Sequence, residues 1–198
     1  MSFSFLPVIR ADSLTQLTAA ALQQRGIQLL MMDFDNTIVP YTTSVPTEEM
    51  LAWIDQMNQS DLKLCVVSNS RNSRVPEFCK AYGLDCITHA KKPFSKGIKA
   101  CLARYGMEAC HSALVGDQIY TDVLGANCAG VTSILIPAIH NHNIWLKLRH
   151  VAELPFVFAT RNRRISSEKS EEIPVLAGRS GGRSVADQPL QPPLCSPV

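Results

Sequence analysis

Apolar residues in this chain come in short continuous runs, with stretches between them in which they recur at helical spacing. Gly26-Ile27-Gln28-Leu29-Leu30 rises into a run that reaches Phe34. LKLCVVS (62–68), HSALVGD (111–117) and VTSILIP (131–137) repeat the pattern, and a shorter strand is expected near Cys86-Ile87-Thr88. Runs of this length flanked by turn residues read as buried strands. The stretches between them read as helices: 13–25, with Ser13 as cap and Gly26 as stop; Thr47 to Gln59; 73–82, closed by Gly83; 95–105, closed by Gly106; and 121–130, with a terminal glycine. Strands and helices that alternate at this spacing imply βαβ crossovers, and hence an α/β fold: a three-layer, Rossmann-like, mostly parallel sheet covered on both faces.

Ligands of such sheets sit outside the carboxyl ends of the strands, so the polar residues that close each run are the candidates. The first run ends in MMDFDNTIVP (31–40), with Asp33 and Asp35 separated by one residue. Desolvating a carboxylate without a partner is expensive, so these acids belong at the strand's end, beside something positive. The other runs end in Ser68 and Asn69, in Lys91 and Lys92, and in Asp117 with Asp122 nearby. Each group alone has a plain structural reading. D-x-D makes a solvated loop pair, Ser68-Asn69-Ser70 a helix cap before Arg74, Lys91-Lys92-Pro93 a turn with Pro opening a helix, and Gly116-Asp117 a common turn.

Together they change weight, because strand-end placement brings all four to one edge of one sheet. The set is what phosphoryl transfer needs: a carboxylate nucleophile, an acid–base, donors to phosphoryl oxygens, and acids to hold a hard cation such as Mg²⁺. DFDNT (33–37), Ser68, Lys92 before Pro93, and GDQIYTD (116–122) resemble the four ordered motifs of haloacid-dehalogenase-like (HAD) phosphatases, over about residues 14–140. The helix before the first motif, the KKP form of the third and the lack of inserted domains most resemble the YqeG-type, subclass IIIA group, which is similar to phosphatidylglycerophosphate phosphatases. The resemblance implies Asp33 as a nucleophile that forms an aspartyl phosphate, and Asp35 as the acid–base. It implies Ser68 and Lys92 as phosphate binders, with Asn69 either donating to substrate or holding a turn. Mg²⁺ would be held by Asp33, the backbone carbonyl of Asp35 and Asp117, with Asp122 supporting the metal shell and Thr37 the nucleophile's loop. One residue of register separates Lys92 from Lys91. Period-2 geometry sends Asp33 and Asp35 the same way.

HAD enzymes selective for small metabolites commonly insert a cap domain after the first motif or between the second and third. Here 35 positions separate Asp33 from Ser68 and 24 separate Ser68 from Lys92, room for a helix and a strand in each interval and no cap. An open site suits a phosphate projecting from something large, such as a phospholipid at a membrane surface, a macromolecule, or a small molecule enclosed by a second subunit. Rivals are a non-catalytic scaffold of the same fold, or a phosphatase of a soluble or protein phosphate. A two-component receiver would need a lone Asp ending the middle strand, which LKLCVVS lacks. No G-x-x-x-x-G-K-[ST] or G-x-G-x-x-G supports nucleotide binding.

Composition adds limits. The 198 residues are 46% hydrophobic and 18% charged, enough for one core. Net charge is +2, with the excess confined to residues 161–198, so no nucleic-acid partner is expected. Those 38 residues hold five of twelve prolines and no aromatic residue, which reads as a disordered tail behind a 1–160 phosphatase domain. Seven cysteines without a C-x-x-C pair, no run near the roughly 18 apolar residues of a bilayer span, and no secretory signal at the start read as a reduced, cytoplasmic protein, at most peripheral to a membrane. His140, His142 and His150 read as solvated loop residues, RNRR (161–164) as too short a polybasic cluster, and Trp53 and Trp145 as packing residues.

Overall fold

The computed structural model describes residues 4–139. The readings placed on His140, His142, Trp145, His150, RNRR and residues 161–198 lie outside them. The described chain runs β1 (Ile9–Arg10), α1 (Ala19–Gln23), β2 (Leu29–Met32), α2 (Glu48–Asn58), β3 (Lys63–Val67), α3 (Arg74–Ala81), β4 (Asp85–Ile87), α4 (Lys96–Tyr105), β5 (Ser112–Gly116), α5 (Leu124–Ala129) and β6 (Thr132–Leu135). All pairings are parallel, in the order β1-β6-β5-β2-β3-β4. Parallel neighbours share a direction, so every carboxyl end falls on one edge, with the ends of β2, β3 and β5 adjacent.

Alternation along the strands divides the core in two. Leu30, Met32, Leu64, Val66, Ala113, Val115 and Ile134 pack on one face with Leu22 of α1, Trp53, Ile54 and Met57 of α2, and Phe78 of α3. Leu29, Met31, Cys65, Val67 and Leu114 pack on the other with Ile98, Cys101 and Leu102 of α4 and with Ala126 and Ala129 of α5. Both faces are therefore covered, which gives the three layers expected of the sequence. Cys65, Cys79 and Cys101 are buried free thiols within this core.

Two elements differ from expectation. The first helix begins at Ala19 rather than near Ser13, because Thr18 takes the capping role and accepts from Ala21 N at 3.2 Å. Residues 14–17 instead form a turn whose Leu14 and Leu17 are buried. The Leu17 carbonyl accepts from the Trp53 indole at 2.7 Å and so binds this segment to α2. The second difference is β1, whose two residues are too few for a periodic signal; Ile9 is buried beside Ile134 of β6. The Asp33–Ser68 interval holds only a loop, α2 and β3, and Ser68–Lys92 only α3 and β4.

Gly97 in α4 shows how tightly the third-motif loop is packed. A Cβ there would fall 2.6 Å from Cα, Cβ and O of Ala90. Helix propensity favours Ala over Gly by about 1 kcal/mol, whereas overpacking costs about 1–3 kcal/mol. Gly97→Ala should therefore lower the urea midpoint; a raised midpoint would mean the loop yields and propensity wins.

Candidate active site

The run that ends β2 carries its ladder one residue further, with Asp33 N donating to Val115 O at 2.9 Å. The chain then turns sharply. Asn36 has φ 59°, a conformation Asn tolerates better than most residues. Its N–H donates to Val39 O at 2.7 Å, and its Oδ1 accepts from Tyr41 N at 3.1 Å. That turn leaves Asp33 buried and Asp35 partly exposed. Thr37 is fully buried beside them, its hydroxyl without a hydrogen-bond partner.

The cation expected beside these acids is Lys92. Its Nζ stands 2.6 Å from Asp33 Oδ1 and 2.7 Å from Asp122 Oδ1, and its side chain is 1% exposed. Lys91 points its charge elsewhere: it is exposed, with φ 58°. Asn69 fixes the register between the two. Its Oδ1 accepts from Lys92 N at 2.7 Å and its Nδ2 donates to Lys92 O at 2.9 Å, so both ends of the amide grip the lysine backbone. Ser68, 1% exposed at the end of β3, accepts on Oγ from Ser70 N at 3.1 Å.

Asp122 is placed by a π turn, Ile119–Val123, that precedes α5. Its Oδ2 accepts from Gln118 N at 3.1 Å while Oδ1 takes Lys92, so both oxygens are engaged. Gly116 makes room for it, since a Cβ there would lie 2.3 Å from Asp122 Oδ2. Asp117, 4% exposed, follows directly from β5. One oxygen each of Asp33, Asp117 and Asp122 lie within 4.8 Å of one another.

Asp33 and Asp122 share the Lys92 ammonium, and their charges bear on one another. Burial, aided by the Asp122 charge, pushes the Asp33 carboxyl up to about 6 against the pull of Lys92. Burial also disfavours the charge on Lys92, but Asp122 and Asp33 more than offset that and hold its ammonium above the ordinary value. A cluster of hard oxygen donors this close together fits a hard divalent cation.

Arg74 was not legible as a site residue in the sequence, where it figures only as the residue that follows a helix cap. From the first position of α3 its NH1 stands 3.0 Å from Asp35 Oδ1. Burial raises the Asp35 carboxyl above its ordinary value, and Arg74 offsets part of that rise.

Residues 89–138 match the model of the HAD-hydrolase-like family. The chain is 30% identical over 132 residues to the probable phosphatase YqeG of Bacillus subtilis (strain 168), an alignment that covers 67% of this chain and 77% of that protein. Solved structures similar to it include a putative HAD family hydrolase from Streptomyces avermitilis MA-4680 (16% identity, TM-score 0.49, 63% of this chain and 72% of that one). Another is the cobalt-bound deoxy-D-mannose-octulosonate 8-phosphate phosphatase of Haemophilus influenzae (12% identity, TM-score 0.47, 64% and 77%). The chain belongs to the HAD-hydrolase-like family. Within it, the chain stands with the YqeG-type phosphatases.

The raised Asp33 carboxyl gives a pH signature. Asp33 binds its proton more tightly folded, near 6, than unfolded, near 3.8, so its stabilising contribution is complete below about 3.8 and is lost as pH rises through about 6. In the presence of chelator, the thermal midpoint of the wild type minus that of Asp33→Asn should fall across this window. A flat or rising difference would contradict a raised Asp33 carboxyl.

Proposed function

We propose that this HAD-family phosphatase hydrolyses phosphomonoesters through an aspartyl phosphate on Asp33, with a divalent cation of the Mg²⁺ kind. The observation that carries the reading is the Asp33 carboxylate, buried at a strand end, held at 2.6 Å by Lys92 and within 4.8 Å of Asp117 and Asp122. An Asp33 oxygen attacks phosphorus as the bond from phosphorus to the leaving oxygen breaks, and Asp35 gives its proton to that oxygen. Water then attacks the same phosphorus, its proton passing to Asp35, and cleavage of the phosphorus–Asp33 bond releases inorganic phosphate. Ser68 and Lys92 bind phosphoryl oxygens, and Thr37 supports the nucleophile's loop. Asp33, Asp117 and the Asp35 backbone carbonyl would hold the cation, while Asp122, with both oxygens engaged, fixes Lys92. The cation, when bound, offsets repulsion between the anionic nucleophile and the anionic substrate.

For the substrate, the lack of a cap in either interval supports a phosphate carried by a large molecule. Among such substrates we favour phosphatidylglycerophosphate, taken at a membrane surface by a cytoplasmic or peripherally bound protein. No described helix is long and apolar enough to cross a membrane.

Two measurements bear on the reading. Chelator should abolish turnover of an aryl phosphate and added Mg²⁺ should restore it, whereas full activity in excess chelator would remove the cation from the mechanism. Phosphatidylglycerophosphate in mixed micelles should be turned over faster than a soluble sugar phosphate at equal concentration. Preference for the sugar phosphate would discard the lipid.

A further inference from the structure

The Arg74 guanidinium is engaged on every side. Its Nε donates to Ser44 Oγ at 2.9 Å, NH1 to Tyr41 O at 2.9 Å, and NH2 to Pro40 O at 2.9 Å and Thr43 O at 2.6 Å. NH1 also stands 3.0 Å from Asp35 Oδ1. The planar group lies 4.9 Å over the Phe34 ring and 5.9 Å from that of Tyr41. Arginine carries five N–H donors in a rigid fork. Four of the five are donated to loop oxygens and NH1 is also ion-paired with Asp35, so the guanidinium is committed to protein partners. A basic side chain beside a phosphatase's acid–base would ordinarily be read as a substrate ligand. This one is committed instead to the loop 40–44 and to Asp35.

We infer that Arg74 is a positioning residue: it aims the Asp35 carboxyl and locks the loop 40–44 that leads away from it, without contacting substrate. The loop supplies three carbonyls and one hydroxyl, all from residues within nine positions of Asp35 and all gripped from a different strand's crossover. Phe34 lies under the same guanidinium and packs edge-to-face against Phe78 of α3, ring centroids 5.1 Å apart, so the D-F-D segment is anchored to the helix that carries Arg74. Freed from this clamp, Asp35 keeps its carboxyl but loses the fixed direction on which proton delivery to a leaving oxygen depends. The inference rests on the reading of Asp35 as acid–base.

The test compares two substrates of the full-length protein with Mg²⁺: an aryl phosphate whose phenolate leaves without protonation, and an alkyl phosphate whose alkoxide needs the proton. Arg74→Ala should lower kcat/KM, which reports phosphorylation of Asp33 and departure of the leaving group but not the later attack of water, by about 10–100-fold for the alkyl phosphate and by less than about threefold for the aryl phosphate. Asp35→Asn should show the same selectivity. The double variant should then lose little beyond Asp35→Asn alone, because a positioning residue has nothing left to position. Arg74→Gln, nearer in length, is the second variant should the alanine variant not fold, with thermal melting as the check. Ser44→Ala, which removes one loop contact and leaves the ion pair, should stay near wild type on both substrates. Equal losses on both substrates in the Arg74 variants would reduce the residue to a structural role and overturn the inference, as would additive losses in the double variant. If Asp35→Asn shows the selectivity and neither Arg74 variant does, the inference alone fails. If Asp35→Asn shows no selectivity, the acid–base reading fails and takes the inference with it.

Discussion

A single ammonium between two carboxylates organises the carboxyl edge of this sheet. Lys92 reaches Asp33 and Asp122 at 2.6 and 2.7 Å with almost no exposure to water. Burying either acid without it would leave a charge that a low-dielectric interior does not tolerate. Three backbone devices serve this arrangement: the amide grip of Asn69 on Lys92, the missing side chain at Gly116, and the π turn that aims Asp122. Each of them bears on where that ammonium sits. The buried pair is therefore better understood as a specification of geometry than as a source of stability, since buried ion pairs seldom outperform well-packed apolar groups.

A second cation acts at the outer side of the same edge. Arg74 is partly exposed and holds Asp35 and its following loop, while Lys92 is buried and holds Asp33. The two aspartates of D-F-D thus sit under opposite conditions, one dry and crowded by like charge, the other half-wet and matched by a guanidinium. Environment separates two identical side chains into distinct chemical roles.

Much of this was legible in the chain. Continuous apolar runs announced the buried parallel strands, and the rule that ligands gather at their carboxyl ends singled out the residues that the sheet brings to one edge. The expectation of a positive partner for the first acids followed from desolvation alone, and Lys92 fills it. Register and local hydrogen bonding were not legible. Lys91 and Lys92 are neighbours in sequence; the grip of Asn69 on one backbone and the burial of one side chain against two acids distinguish them. Asn69 itself read as a turn or a substrate donor because its partner lies 23 residues away. Arg74 stayed hidden for the same reason, its contacts falling on residues 30 to 40 positions upstream. The two-residue β1 has too little pattern to see, and Ser13 looked like a helix cap because nothing local says that Trp53 will claim the Leu17 carbonyl.

The central claim is that the carboxylate held by Lys92 is the group that takes the phosphoryl unit. Its most direct test is to quench a turning-over mixture in acid and locate the phosphorylated residue by peptide mass mapping. The account predicts the acyl phosphate on Asp33, displaced by hydroxylamine and absent from Asp33→Asn. A phosphoryl group on another residue, with Asp33 unmodified, would contradict it.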